Sequence, residues 1–102
     1  MNKFKINLPT HKIANFCKEN HIVKLSLFGS VLRGDFQEGS DIDFLVEFEP
    51  GKAPGLINYC RMERELSKIL GYRKVDLRTP QELSKYFRNE VLAQAQVQYA
   101  AA

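Results

Sequence analysis

The chain has 102 residues, of which 44% are hydrophobic and 26% are charged, a balance typical of a globular protein and not of a disordered one. This length leaves room for one domain, over residues 1–102, because two cores of ordinary size do not fit. The formal net charge of +3 is too small by itself to indicate a nucleic-acid-binding protein. No apolar run is long enough to span a bilayer, so we expect no membrane association.

The two cysteines, Cys17 and Cys60, are too few for a disulfide framework or a zinc site. Each falls among apolar residues at helical spacing, so we expect both to be reduced core residues. The first five residues lack the apolar stretch of a signal peptide. The sequence therefore predicts a cytoplasmic protein.

The first half of the chain predicts a helix, a strand and a short helix. Apolar residues recur three and four positions apart from about Pro9 to Asn20, which is the spacing of a helix. Alternating apolar and polar residues over Ile22–Phe28 predict a strand. After Gly29, the hydroxyl of Ser30 is suited to cap a short helix over Val31–Arg33.

The second half predicts two more strands, over Asp41–Phe48 and Lys74–Leu77, around a helix from about Leu56 to Leu70. A capping-box pattern at Thr79–Glu82 opens a last helical region that carries apolar residues to Ala95. The last three residues have the composition of a frayed end. The order α-β-α-β-α-β-α predicts an α/β fold (α+β by some schemes), with a small mixed sheet flanked by helices.

Acidic residues are concentrated between Ser30 and Pro50, where Arg33 is the one basic residue among six acids. The flanking segments are rich in Lys and Arg. An acidic segment in a basic frame suits a site where carboxylates hold a cation and basic groups receive an anion. It is equally consistent with ordinary charge heterogeneity.

The pattern that carries chemistry is Gly29-Ser30, ten residues, and then Asp41-Ile42-Asp43. Side chains at i and i+2 of a strand point to the same face, so the two carboxylates would repel each other unless a cation lay between them. This arrangement indicates a Mg²⁺ site. Taken separately, Gly-Ser after a strand is often only a turn, and Asp-x-Asp is common on exposed strands.

The same stretch offers groups that bind phosphate. Gly29 allows a close backbone approach to a ligand, and the amides at the start of a helix capped by Ser30 can donate to phosphate oxygens. Arg33 lies one helical turn farther on and could reach a phosphate. Its alternative role is a surface salt bridge to Asp35 or Glu38.

A third acidic residue, Asp76, interrupts an otherwise apolar short strand, which is a poor place for a charge without a partner. If this strand lies beside the second one, Asp76 could complete a three-carboxylate cluster with Asp41 and Asp43. The alternative is an exposed residue on an edge strand, and the sequence leaves the two open.

Together these motifs resemble the signature of the polymerase-β-like nucleotidyltransferase superfamily, and the wording around residues 27–36, 40–48 and 74–77 resembles its minimal nucleotidyltransferases (MNT). The resemblance implies transfer of a nucleoside monophosphate from an NTP, most simply ATP, with two Mg²⁺ ions and release of pyrophosphate. It implies metal binding and catalysis by Asp41, Asp43 and Asp76. It also implies nucleotide binding by Gly29 and Ser30, and Arg33 would add a further phosphate contact.

Many minimal nucleotidyltransferases are antitoxins of HEPN–MNT pairs, and some adenylylate a tyrosine of the HEPN toxin. The resemblance therefore implies a HEPN-type partner encoded by a neighbouring gene, and so a hetero-oligomer, with a homo-oligomer also open. Two alternatives are an antitoxin that only masks its toxin and a nucleotidyltransferase that acts on RNA ends. The absence of a basic stripe with interleaved aromatics argues against a nucleic-acid partner.

Overall fold

The structure is a computed structural model that describes residues 8–29, 41–86 and 88–101. The short helix predicted over Val31–Arg33 falls outside these residues. The described helices are α1 (Thr10–Glu19), α2 (Leu56–Ile69) and α3 (Arg88–Gln94), and a 3₁₀ turn covers Pro80–Glu82. The strands are β1 (Ile22–Phe28), β2 (Ile42–Phe48), β3 (Val75–Arg78) and β4 (Gln96–Ala100).

The four strands form one mixed sheet in the order β3-β2-β1-β4. Strand β1 lies antiparallel to both β2 and β4, whereas β3 runs parallel to β2. A parallel pair needs a long crossover connection, and α2 supplies it between β2 and β3. This crossover brings two segments more than 30 residues apart in the sequence into direct pairing.

One hydrophobic core lies between the sheet and the helices α1 and α2, and alternate residues of each strand point into it. This confirms the predicted fold class, a small mixed sheet flanked by helices. The intervening residues of β2 and β3, which include Asp43 and Asp76, point to the opposite face. The core consists of Ile13, Phe16, Cys17, Ile22, Leu25, Leu27, Ile42, Phe44, Val46, Met62, Leu66 and Leu77.

The predicted element order lacks a strand at its C-terminal end. The last helical region divides into the 3₁₀ turn and α3, and β4 follows and pairs with β1. The expectation of a frayed tail is wrong as far as Ala101, whose amide donates to Val23 O at 2.8 Å. The alternation of polar and apolar residues in Gln96–Ala100 is a short strand pattern that the sequence analysis missed, and the free edge of β1 supplies its hydrogen-bond partners.

Two local predictions have different outcomes. The capping box is confirmed, because Glu82 Oε1 accepts a hydrogen bond from Thr79 N at 3.0 Å. The expectation that both cysteines lie in the core is wrong for Cys60, which is exposed on α2, and right for Cys17. Among the residues described, no helix combines the length and apolar character needed to cross a membrane.

The two thiols should therefore react very differently. Burial raises the pKa of Cys17 to about 12, so its thiol stays protonated at neutral pH as well as shielded. We expect a chromogenic disulfide reagent to label one thiol per native chain and two in guanidinium chloride. Cys60→Ser should remove the native reaction. Rapid labelling of native Cys60→Ser would contradict the placement of Cys17.

Candidate active site

The parallel pairing of β2 with β3 places Asp43 directly opposite Asp76. Neighbouring strands lie about 4.8 Å apart, so the two carboxylates project from adjacent positions of one sheet face. Asp41 is exposed and precedes β2, next to Ile42, whose amide donates to Lys74 O at 2.8 Å. The strand arrangement on which the predicted role of Asp76 depended is therefore present.

Gly29 follows the last residue of β1 and packs directly against the Asp43 carboxylate. Phe28 is the cross-strand partner of Asp43, so Gly29, the residue after Phe28, lies close to Asp43. A Cβ on Gly29 would overlap Asp43 Oδ2 and lie 3.2 Å from its Cγ. Gly29 also has a φ of +82°, a left-handed conformation that favours glycine. Both constraints explain why the position after β1 is a glycine.

Arg78 lies two residues beyond Asp76 on the same face of β3 and was missed by the sequence analysis. Its Nε donates to Asp76 Oδ2 at 3.1 Å, and both side chains are partly exposed. The hydrogen bond and negative charge of Asp76 raise the pKa of Arg78, and the charge of Asp43 acts in the same direction. The i, i+2 spacing of Asp76 and Arg78 is the sequence signal that could have found this pair.

The outer edge of β3 is held by two side chains of α2. Tyr59 Oη donates to Leu77 O at 2.9 Å, and Leu77 N donates to Glu63 Oε2 at 2.9 Å. Tyr59 and Glu63 are four residues apart and so lie on one side of the helix. Their bonds occupy both backbone groups of the residue between Asp76 and Arg78, and thereby fix the strand that carries the site.

Tyr59 is an effective donor because its hydroxyl stays protonated. Burial raises the pKa of Tyr59 above the usual range, and the nearby carboxylates of Glu82 and Glu63 add to the shift. Glu82 Oε1 also accepts a longer hydrogen bond, of 3.4 Å, from Tyr59 Oη. Glu82 thus links the 3₁₀ turn after β3 to Tyr59, which together with Glu63 forms the clamp on β3.

The donor set of the site fits Mg²⁺. Carboxylate oxygens are its preferred protein ligands, and it commonly takes one or two of them and completes its shell with water and substrate phosphates. Asp43 and Asp76 provide such a pair, and the missing Cβ of Gly29 leaves space beside it. Within the described ranges, no three His, Cys, Asp or Glu side chains form a group that could hold a metal ion.

The structure therefore brings together Gly29, Asp43 and Asp76 and leaves Asp41 exposed beside them, without forming the three-carboxylate cluster among the residues described. Ser30 and Arg33 lie outside the described residues, so their predicted contacts with phosphate stay predictions. The metal-binding and catalytic roles of the three aspartates also stay predictions.

The family model of the nucleotidyltransferase domain matches residues 11–97 of the chain, which include Gly29 and all three aspartates. The chain belongs to the nucleotidyltransferase domain family. A candidate protein adenylyltransferase of Methanocaldococcus jannaschii, MJ0435, is 34% identical over 90 residues, which cover 88% of this chain and 94% of that relative. The resemblance to minimal nucleotidyltransferases is confirmed.

Solved structures of the family have the same fold. A candidate minimal nucleotidyltransferase has a TM-score of 0.69 at 34% identity, over 84% of this chain and 85% of that one. A complex of tri-AMPylated Shewanella oneidensis HEPN toxin with MNT antitoxin gives a TM-score of 0.63 at 21% identity, over 90% of this chain and 70% of the matched one. At 21% identity the likeness shows the fold alone. This nucleotidyltransferase is an enzyme whose substrate is a nucleotide.

Replacing Gly29 tests the close approach to Asp43. Gly29→Ala should strain the backbone by roughly 1–2 kcal/mol and place a methyl group against the carboxylate. Gly51→Ala is the matched control, because Gly51 also has a positive φ of +76° but has no atom within 4 Å of an added Cβ. We expect similar destabilisation in urea but loss of Mg²⁺–AMP-PNP binding in Gly29→Ala alone. Equal nucleotide binding by both variants would show that the close approach of Gly29 to Asp43 does not matter for nucleotide binding.

Removing Glu63 tests the clamp on β3. Glu63→Ala leaves the amide of Leu77 without its acceptor, which should lower the free energy of unfolding by about 1–3 kcal/mol. Glu65→Ala is the control, since Glu65 is exposed on the same helix, and it should change the free energy by less than about 0.5 kcal/mol. Urea unfolding measures both. If Glu63→Ala and Glu65→Ala have equal free energies of unfolding, the hydrogen bond from Leu77 N to Glu63 contributes nothing to stability.

Proposed function

We propose that this nucleotidyltransferase is the antitoxin of a HEPN–MNT pair, which transfers AMP from ATP to a hydroxyl, most simply of a tyrosine, on a HEPN-type toxin encoded beside it. The 34% identity to a candidate protein adenylyltransferase supports AMP as the transferred group and a protein as the acceptor. The shared fold with an MNT antitoxin in complex with an AMPylated HEPN toxin supports the partner. ATP-dependent chemistry also suits the cytoplasmic location that the sequence predicts.

The observation that carries this proposal is the pairing of Asp43 with Asp76 beside Gly29. Two carboxylates on adjacent strands repel each other, Arg78 offsets that repulsion only in part, and the pair adds nothing to a surface that only masks a partner. Group transfer between phosphates instead depends on positioning and charge neutralisation, which such a pair can provide. We therefore favour modification of the toxin over simple masking.

The reaction assigns a role to each predicted residue. The acceptor oxygen forms a bond to the α-phosphorus of ATP, the bond from that phosphorus to the bridging oxygen breaks, and pyrophosphate leaves. The Asp76 carboxylate helps to accept the proton of the acceptor hydroxyl. Magnesium ions held by Asp41, Asp43 and Asp76 would neutralise charge on the triphosphate. Ser30 and Arg33 would contact the phosphates of ATP, and the absence of a side chain at Gly29 leaves room for those phosphates.

The surface of the chain is consistent with a protein partner. Leu56 and Ile57, at the start of α2, expose 79% and 85% of their surface, and Tyr86 exposes 88%. These side chains are available for a contact with another protein. A partner that covers them would also supply the acceptor hydroxyl.

Intact-mass spectrometry tests the activity. The protein, its HEPN-type neighbour, ATP and Mg²⁺ should yield a toxin heavier by one or more adenylyl groups. Asp43→Asn and Asp76→Asn should slow the modification by about 100-fold or more, because each removes a carboxylate that would hold the metal ions, and those ions would neutralise the charge of the triphosphate. Glu47→Gln is the matched control, since Glu47 is farther along β2 on the same face, and it should retain activity.

Modification that proceeds equally in all variants would disprove the assigned roles. A toxin that stays unmodified but co-purifies as a neutralised complex would favour the masking antitoxin. A toxin that neither binds nor changes mass would disprove this acceptor, and RNA 3′ ends would then be assayed.

A further inference from the structure

We propose that Arg78 is the built-in counterion of the aspartate pair and competes with the metal ion for Asp76, so that the site binds free metal weakly and accepts it mainly together with an anionic triphosphate. This inference rests on the proposed function, because it takes Asp43 and Asp76 as metal ligands. It adds a regulatory role for a residue outside the motif that identified the family.

The geometry places Arg78 beside the aspartate pair. Its Nε donates to Asp76 Oδ2 at 3.1 Å, on the sheet face that also carries Asp43. Asp43 and Asp76 are cross-strand partners, so the guanidinium is placed to offset the repulsion between them. The pair is thus neutralised in part by the chain itself.

Arg78 and a metal ion would compete because both use the carboxylate oxygens of Asp76. A divalent cation that binds both carboxylates needs oxygen lone pairs of Asp76, and Oδ2 already accepts a hydrogen bond from Arg78. Arg78 is not buried, since 48% of its side chain is exposed, and it can therefore move away without unfolding β3. An exposed ion pair of this kind is weak, so it opposes metal binding without preventing it.

Charge explains the preference for the nucleotide complex. The three aspartates that would hold metal carry three negative charges, which one divalent cation and the guanidinium of Arg78 together balance, so an arriving anion meets no net repulsion. A displaced guanidinium lies beside the incoming triphosphate and can donate to a phosphate oxygen. Arg78 should therefore lower the affinity for free metal and raise the affinity for the metal–nucleotide complex.

Metal titration of Arg78 variants tests this by two readouts, neither of which is enzyme activity. We expect Arg78→Gln to bind Mn²⁺ alone roughly two- to fivefold more tightly than the unaltered chain at low salt, by paramagnetic resonance of free Mn²⁺, with a smaller gain at high salt. The same variant should bind Mg²⁺–AMP-PNP more weakly by calorimetry. Arg78→Lys, which keeps the charge without the Nε bond, should lie between the two in Mn²⁺ affinity.

Arg64→Gln is the control for general loss of positive charge, because Arg64 is exposed on α2, and it should match the unaltered chain. Unchanged or weaker Mn²⁺ binding by Arg78→Gln would overturn the proposal, as would tighter binding of Mg²⁺–AMP-PNP. Asp43→Asn separates this result from failure of the proposed function. If Mn²⁺ binding depends on Asp43 but not on Arg78, the metal site stands and only the role of Arg78 falls; if no binding depends on Asp43, both fall.

Discussion

In the parallel pairing of β2 with β3, Asp43 and Asp76 occupy matched positions, so two carboxylates stand on adjacent strands of one sheet face. The backbone ladder fixes their separation, and neither strand can shift by one residue without turning a core residue out to solvent. The repulsion between the two charges is therefore built into the fold. Two neighbouring residues accommodate the aspartate pair. Gly29 leaves space beside Asp43, and Arg78 places a positive charge beside Asp76.

The two faces of the sheet have different roles, since one forms the core and the other carries the candidate site. One face of β2 and β3 is apolar and packs with α1 and α2 into the core, whereas the aspartates point the other way. Because β3 has only four residues and lies at the edge of the sheet, its ladder with β2 alone would hold it weakly. Tyr59 and Glu63 of α2 form hydrogen bonds with the backbone of Leu77 at the edge of β3 that does not pair with β2. They hold the strand at that edge. Residues remote from the chemistry thus determine where Asp76 stands.

This division also explains how the described residues can provide a nucleotidyltransferase site. The sheet and its two packed helices supply a rigid base for the carboxylates on the opposite face. In the proposed function, a partner protein brings the acceptor hydroxyl to this face. The exposed side chains of Leu56, Ile57 and Tyr86 are available for contact with such a partner.

The sequence by itself determined the family, the three strands β1 to β3, the helices α1 and α2 and the identity of the candidate ligands, because each rests on a local period or a short motif. It could not determine the pairing of Asp43 with Asp76, the contact of Gly29 with Asp43 or the bond from Arg78 to Asp76. Nor could it determine the pairing of β4 with β1 or the exposure of Cys60. These features depend on which strand lies beside which and on which side of α2 faces the sheet. Both are settled by burial of the whole core, and no local stretch of residues encodes that burial.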